Sequence, residues 1–415
     1  MVKTKPEVLV PAGDRERLEA ALRFGADAVY LGGKLFNMRA GTRSFTQEEL
    51  AEAVTLTHSY GKRLYLTCNT LLTNEEAELL PRYLAEAQEM GVDAAIVSDV
   101  GVLMAAHRAV PQLDLHISTQ AGVTNRLTAT ELFRLGAKRV VLARELPLTE
   151  IEGVCRGIPE ELEVEVFVHG AMCMSVSGRC LLSQYLPGRD ANRGACTQPC
   201  RGKYALMEEK RPGQYYPVEE DGGYSYILNA KDLCHIEHLD KLAQAGVHSF
   251  KIEGRAKSAY YTAVTAGAYR AATDLMWQDP EHYRCPEWLK EEVTKISHRD
   301  YTTGFLFGQP PAGQCYETGG YIRRWEVAGV VTGYDAAQRR LLCEQRNKFE
   351  VGQKLELLLP LQGVRQYTPK ALYDAAGNPV PSVPHAAAPF MMDYPEALPV
   401  GTLLRMPVTP DGAVK

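Results

Sequence analysis

The sequence predicts an α/β protein: a TIM-like (β/α)8 barrel over residues 1–280, followed by a small C-terminal antiparallel β-barrel domain over residues 321–415. Three observations predict it. Up to about residue 275, short apolar runs of β type alternate with amphipathic helical stretches. Several of those stretches end in a glycine just before the next run. After about residue 320 the texture changes to Gly, Pro and alternating apolar residues, the pattern of short antiparallel strands.

The runs occupy residues 7–11, 28–32, 63–67, 94–98, 113–117, 139–143, 163–168 and 249–253. Eight strands alternating with helices is the count of a closed parallel barrel. The glycine stops stand at Gly25, Gly91, Gly136 and Gly246, where a left-handed residue ends a helix. A ninth candidate strand at 226–230 does not fit the count. It belongs to a cysteine-rich insertion after the seventh strand, about residues 171–235, or else signals a different closure. Residues 281–320 form a helical linker, with helical pattern from about 285 to 298, and alternating runs at 325–332 and 353–359 mark the C-terminal domain.

A chain of 415 residues exceeds what one core usually serves, so two or three domains are expected. With 45% hydrophobic and 23% charged residues the composition is that of an ordinary globular protein, which excludes disordered and fibrous classes. The N-terminal stretch lacks the h-region of a signal peptide, and no apolar run approaches the roughly 18 residues of a membrane span. A soluble, cytoplasmic protein without a membrane partner is therefore expected. The net charge of -5 argues against a uniformly basic nucleic-acid coat. It leaves room for a local patch: Arg179, Arg189, Arg193, Arg201 and Lys203 stand against the single acid Asp190, a local net charge of +4.

Ten cysteines in a reducing compartment do not form a disulfide framework. Cys68, Cys155, Cys285, Cys315 and Cys343 are scattered, whereas Cys173, Cys180, Cys196, Cys200 and Cys234 gather in the insertion after the seventh strand. Thiolates select zinc or iron-sulfur clusters. Structural zinc sites pair cysteines two to four residues apart on each of two knuckles, and here only Cys196 and Cys200 do so. A cluster, larger than one ion, accepts the looser spacing.

Reactive groups of such barrels sit where strands end. Those positions carry Asp14, Gly32, Gly33, Asn69, Asp99, Ser118, Gln120, Arg144, Glu145, His169, Glu253 and Arg255. Taken singly, several have a local explanation, such as Asp14 capping the following helix. His235 and His238, three apart on a helical stretch, are expected to face solvent. Neither a zinc-protease helix motif, nor a serine elbow, nor a phosphate loop, nor a C-x3-C-x2-C radical motif is present, so hydrolysis by a standard route has no visible apparatus.

At these residues the sequence resembles peptidase family U32, the collagenase-like proteins. The resemblance lies in Leu9-Val-Pro-Ala-Gly-Asp14, Ala26-Asp-Ala-Val-Tyr-Leu-Gly-Gly33, Val168-His-Gly-Ala-Met-Cys173, Ser177-Gly-Arg-Cys180, Gly188-Arg-Asp-Ala-Asn-Arg-Gly-Ala-Cys196-Thr-Gln-Pro-Cys200-Arg and Phe250-Lys-Ile-Glu-Gly-Arg255. The C-terminal region is similar to the small β-barrel of the branch that hydroxylates tRNA. What the resemblance implies, despite the peptidase name, is an oxygen-independent hydroxylase with a 4Fe-4S cluster. That branch hydroxylates C5 of the wobble uridine with prephenate as hydroxyl source, while other branches act on ribosomal RNA or a quinone precursor.

Under that implication Cys173, Cys180 and Cys196 match the family's cysteine block. The fourth ligand is Cys200, which closes the shorter loop, or Cys234 as the alternative. The candidate catalytic residues are His169, Arg144, Glu253 and Arg255. His169 would donate a proton or satisfy a backbone carbonyl. Arg144 and Arg255 would grip the two prephenate carboxylates, or else serve as ion-pair partners of Glu145 or Glu253. Arg179, Arg189, Arg193, Arg201, Asn69 and Gln120 are the candidate substrate-binding residues, with Tyr185 or Tyr204 to stack a base. The implied partners are tRNA and prephenate; association with a paralogue or a second copy is left open.

Overall fold

A computed structural model describes residues 4–37, 44–173, 175–176, 179–201, 206–207, 215–216, 230–308 and 321–408. Among the described residues eight parallel strands form the barrel: β1 (Glu7–Pro11), β2 (Ala28–Leu31), β3 (Arg63–Cys68), β4 (Ala94–Val97), β5 (Asp114–Ile117), β6 (Arg139–Val141), β7 (Glu163–Ala171) and β8 (Ser249–Ile252). Each pairs with the next in chain order, and β8 bonds both β7 and β1, which closes the cylinder. Outside it lie α1 (Arg15–Arg23), α2 (Gln47–Ser59), α3 (Asn74–Glu89), α4 (Val100–Ala109), α5 (Arg126–Arg134), α6 (Leu148–Gly157), α7 (Leu239–Ala245), α8 (Ala259–Gln278) and α9 (Glu287–Val293).

Local signals start and stop these helices. Asp14 and Asp99 accept from Arg17 N and Val102 N, each at 3.0 Å, and cap α1 and α4. Thr46 and Thr73 form capping boxes with Glu49 and Glu76 at the starts of α2 and α3. The four expected glycine stops adopt φ of +99°, +90°, +109° and +101°.

Strand residues alternate between two faces. On β3, Leu64, Leu66 and Cys68 join the large core beneath the helices, while Tyr65 belongs to a small lumen cluster with Leu9, Ala28, Tyr30, Ala94 and Ile96. His116 packs edge-on against Tyr65 with ring centroids 4.8 Å apart. Below this apolar layer lies an ionic one. Arg139 reaches Glu7 at 2.7 Å, Glu165 at 3.0 Å and Glu163 at 2.6 Å. Lys251 pairs with Glu165 at 2.6 Å, Tyr65 OH donates to Glu7 at 2.7 Å, and Arg63 also pairs with Glu7. Burial alone would raise the Glu7 carboxyl, but the Arg139 and Arg63 guanidiniums, with hydrogen bonds from Arg139 and Tyr65, hold it below its ordinary value.

A short strand, Asp232–Cys234, runs antiparallel to the end of β7 and sets Cys234 opposite His169; Tyr301–Thr302 pairs beyond it. Of the ninth strand expected at 226–230, all but Ala230 lies outside the described residues. The segment expected as a linker packs on the barrel instead, since Leu289, Val293, Ile296 and Leu306 belong to its core.

The C-terminal domain is an eight-stranded antiparallel sheet ordered Gly363–Tyr367, Leu355–Leu359, Leu403–Pro407, Trp325–Asp335, Arg340–Gln345, Pro389–Asp393, Leu372–Asp374 and Pro379–Val380. It bends round one core that includes Val331, Leu341, Phe349, Leu357, Phe390 and Leu404. Its two end strands are not hydrogen-bonded to each other, so the sheet is open at that seam. Arg405, 0% exposed, bonds Glu292 on α9 at 2.7 Å and Glu356 at 2.7 Å, which ties the two domains together. Lys295 joins Glu356 at 2.9 Å, and Leu358 and Leu403 enter the barrel-side core.

The ionic layer makes a prediction. Glu7→Gln leaves Arg139 and Arg63 facing one carboxylate fewer and should cost about 3 kcal/mol at neutral pH in urea unfolding. Because Glu7 titrates lower when folded than when unfolded, its contribution is present above the unfolded value and lost as pH falls through the folded one. The stability gap between wild type and variant should therefore narrow on acidification; a constant gap would contradict the pairing.

Candidate functional site at the barrel mouth

The C-terminal ends of the strands make a mouth with two chemically different sides. On the side of β3 to β5, the lumen-facing alternation Tyr65, Thr67 continues to Asn69. Asn69 Nδ2 donates to Ser118 Oγ at 3.2 Å, and Ser98 Oγ donates to the Asn69 carbonyl at 3.2 Å. Gln120 follows Ser118 in a 3-10 turn, Thr119–Ala121, and is 5% exposed. No charged group enters these contacts.

The other side is ionic. Arg144, beyond β6, donates to the Ala171 carbonyl at 2.7 Å and to Glu253 at 3.2 Å, with its guanidinium 3.8 Å from the centroid of Phe167. Arg255, beyond β8, is 6% exposed and donates to Asn37 Oδ1 at 2.6 Å and Thr67 Oγ1 at 2.7 Å. This side explains two glycines of the sequence. A Cβ on Gly13 would lie 2.2 Å from the Arg255 carbonyl oxygen, and one on Gly32 would lie 2.3 Å from the Asn37 amide. The expected acidic neighbour of Arg144 is found in Glu253, on the far strand.

The cysteine segment is clipped to the amide side. Asn192, 8% exposed, accepts from Cys180 N and donates to Cys180 O, both at 3.1 Å. Leu71 N donates to the Asn192 carbonyl at 3.3 Å. Arg193 grips Glu76 through two bonds of 2.8 and 2.6 Å and donates to Leu71 O at 2.9 Å. The bond from Arg193, with the cap contacts to Thr73, holds Glu76 down to about 2. Arg193 is thus spent on an anchor and does not stand out as a phosphate ligand. Arg179 and Arg189 are exposed, as is Tyr185 at 79%. Arg201 lies in the turn Pro199–Arg201, its side chain outside the description, and Lys203 and Tyr204 lie outside the described residues.

Cys173 and Cys196 are exposed, Cys180 and Cys200 partly so. Backbone N–H groups of Leu182 and Gln198 point at the sulfurs of Cys180 and Cys196, each at 3.4 Å, and Ser183 Oγ lies 3.8 Å from Cys196 Sγ. Hydrogen bonds to sulfur of this kind are among the features that tune metal-bound cysteines. In donor chemistry this segment fits a soft metal group, although among the described residues no three His, Cys, Asp or Glu side chains converge on one point. Cys234 differs: burial pushes its thiol up to about 11, and its sulfur lies 3.8 Å from Tyr269 OH.

His169 is enclosed away from the open rim. It packs against Tyr261, Tyr269 and Tyr301, its Nδ1 lies 3.3 Å from Tyr269 OH, and burial lowers it to about 3. An imidazole held neutral in this way lacks the imidazolium proton that a general acid would give near neutral pH. His235, expected to face solvent, is 6% exposed, with Nε2 2.9 Å from the Thr303 carbonyl, because the strand Asp232–Cys234 draws it inward. Sequence reasoning passed over Asn37, Thr67 and Glu76. The alternation along β3 could have found Thr67, and the Thr73-x-x-Glu76 capping pattern could have found Glu76.

The description "Peptidase family U32" matches residues 13–315, and "Peptidase family U32 C-terminal domain" matches residues 323–405. The tRNA hydroxylation protein P of Escherichia coli (strain K12) is 35% identical, across 97% of this chain and 96% of its own length. The tRNA hydroxylation protein P1 of Bacillus subtilis (strain 168) is 35% identical, across 93% of this chain and 91% of its own. A protein named Collagenase from Porphyromonas gingivalis (strain ATCC BAA-308 / W83) is 33% identical, across 73% of this chain and 74% of its own.

The clip predicts a local effect. Glu76→Ala removes the Arg193 anchor and the helix-capping contact, and should speed amide exchange across residues 179–201. Global stability should fall by only about 1 kcal/mol, since the pair is partly exposed. Exchange confined to α3 would show that the segment is held by something else.

Proposed function

This chain belongs to peptidase family U32, and on that premise we propose that it is a tRNA-hydroxylating enzyme and not a protease. The observation that carries the reading is the pairing of a thiol-rich segment with a polar barrel mouth, in a chain that aligns over nearly its whole length with tRNA hydroxylation proteins. The finer proposal is oxygen-independent hydroxylation at C5 of the wobble uridine, in the cytoplasm, with prephenate as hydroxyl source. No described helix is long and apolar enough to cross a membrane.

In this reading Cys173, Cys180, Cys196 and Cys200 hold a 4Fe-4S cluster. Such a cluster supplies electron-transfer or Lewis-acid chemistry beside the mouth. Arg144 and Arg255 line the ionic side, and planar guanidiniums there suit a ligand with two carboxylates. Arg179 and Arg189 would meet phosphates and Tyr185 a splayed base, since all three are exposed on the same segment. A proteolytic reading would need a nucleophile beside a base, or a hydrolytic metal motif. The sequence carries no such motif, and His169 and His235 are enclosed.

Nucleoside mass spectrometry on tRNA from a deletion strain should show loss of a hydroxyuridine derivative. Unchanged nucleosides, together with peptide cleavage by the purified protein, would reverse the assignment. Iron analysis of anaerobically purified variants tests the ligand set. Cys200→Ala should lower iron about as much as Cys173→Ala, whereas Cys234→Ala should retain it, because the Cys234 sulfur is engaged by Tyr269 OH at 3.8 Å. Iron lost with Cys234 and kept without Cys200 would exchange their roles.

A further inference from the structure

The amide side of the mouth holds two buried polar atoms with no partner among the described residues: Asn69 Oδ1 and Gln120 Nε2. Leaving a buried donor or acceptor unsatisfied is costly, so such a pair marks a place where a ligand restores the missing bonds. One hydroxyl bridges both amides. Ser118 Oγ accepts from Asn69 Nδ2 at 3.2 Å, which turns Asn69 Oδ1 away from it. Its own proton is directed at Gln120 Oε1, 3.5 Å away, which leaves Gln120 Nε2 on the other side. The result is an unsatisfied acceptor just beyond β3 and an unsatisfied donor just beyond β5, each on an amide that contacts Ser118, with β4 between the two strands.

The frame is rigid. Ser98 Oγ holds the Asn69 carbonyl, and Thr119 Oγ1 donates to the Leu142 carbonyl at 3.1 Å, fixing the turn that carries Gln120. Among the described residues no charged side chain joins these hydrogen bonds; Arg144 pairs with Glu253 on the other side, and Arg255 is engaged by Asn37 and by Thr67, one step below Asn69 on β3. A neutral ligand is therefore favoured here and an anion there.

We infer that Asn69 and Gln120, polarised by Ser118, form a subsite for the edge of a neutral nucleobase that presents a ring N–H beside a carbonyl, as uracil does. The inference rests on the RNA-modifying reading and deepens it. The N–H donates to Asn69 Oδ1, and the carbonyl accepts from Gln120 Nε2. Ser118 acts as a positioning residue, since it touches the amides and not the base.

The test is binding of the full-length protein to a short stem-loop RNA with one loop uridine. The comparison is the same RNA carrying 3-methyluridine, whose methyl group removes the N–H. Wild type should bind the methylated RNA about tenfold more weakly, the scale of one lost hydrogen bond. Gln120→Glu, which keeps the shape but replaces the donor with an acceptor, and Asn69→Ala should bring the uridine RNA down to the methylated level and erase the ratio. Ser118→Ala keeps both amides but frees their orientation, so the ratio should shrink while thermal melting shows a folded protein. A ratio unchanged in both amide variants overturns the subsite and leaves the RNA reading standing. A wild type that binds neither RNA overturns the RNA reading and the subsite together.

Discussion

Four charges buried in the barrel, Glu7, Glu165, Arg139 and Lys251, with Arg63 and Glu163 at its edge, are the constraint on which the remaining architecture rests. Glu7, Glu163 and Glu165 face Arg63, Arg139 and Lys251, drawn from β1, β3, β6, β7 and β8. Buried charges are tolerable only when paired and hydrogen-bonded, so a register slip on any of these strands would strand a charge in the lumen. The network therefore fixes which residues face inward. Once that is set, every second residue above it is set as well.

The lumen then reads as three chemically distinct levels. The ionic level lies at the strand starts, an apolar level of Leu9, Tyr30, Tyr65 and Ile96 sits above it, and a polar level of Thr67, Asn69, Ser98 and Ser118 opens at the mouth. The middle level separates the ionic floor from the polar mouth, and its tyrosines tie the layers together: Tyr65 OH donates to Glu7, and Tyr30 OH donates to the Ile252 carbonyl. Ligand chemistry is thereby confined to one end, where the cysteine segment is clipped by Asn192 and Arg193.

The second domain is held by the same kind of contact. Arg405 brings no exposed surface to its pairs with Glu292 and Glu356, and Lys295 and Trp325 stack beside it with Lys295 Nζ 4.6 Å from the ring centroid. Glu292 and Lys295 lie on or just after α9, in the stretch that looks like a linker in the sequence. The C-terminal sheet thus docks on a continuation of the barrel domain.

The sequence by itself determined the eight strands, the glycine stops and the aspartate caps, because hydrophobic period and capping chemistry are local. It also placed Asn69, Gln120, Arg144, Glu253 and Arg255 near one rim, since strand ends of a barrel meet there whatever the side chains do. Only the tertiary structure decided what those side chains touch. Arg193 spans from the insertion to Glu76 on α3, more than a hundred positions away, and Arg144 finds Glu253 across the mouth in place of its neighbour Glu145. His169 is caged by Tyr261 and Tyr269 of α8 and by Tyr301, whose strand pairs with Asp232–Cys234, a strand too short for its period to register in the sequence. Burial and pairing depend on which distant surfaces meet, and that is settled by closure of the chain on itself, not by any local pattern.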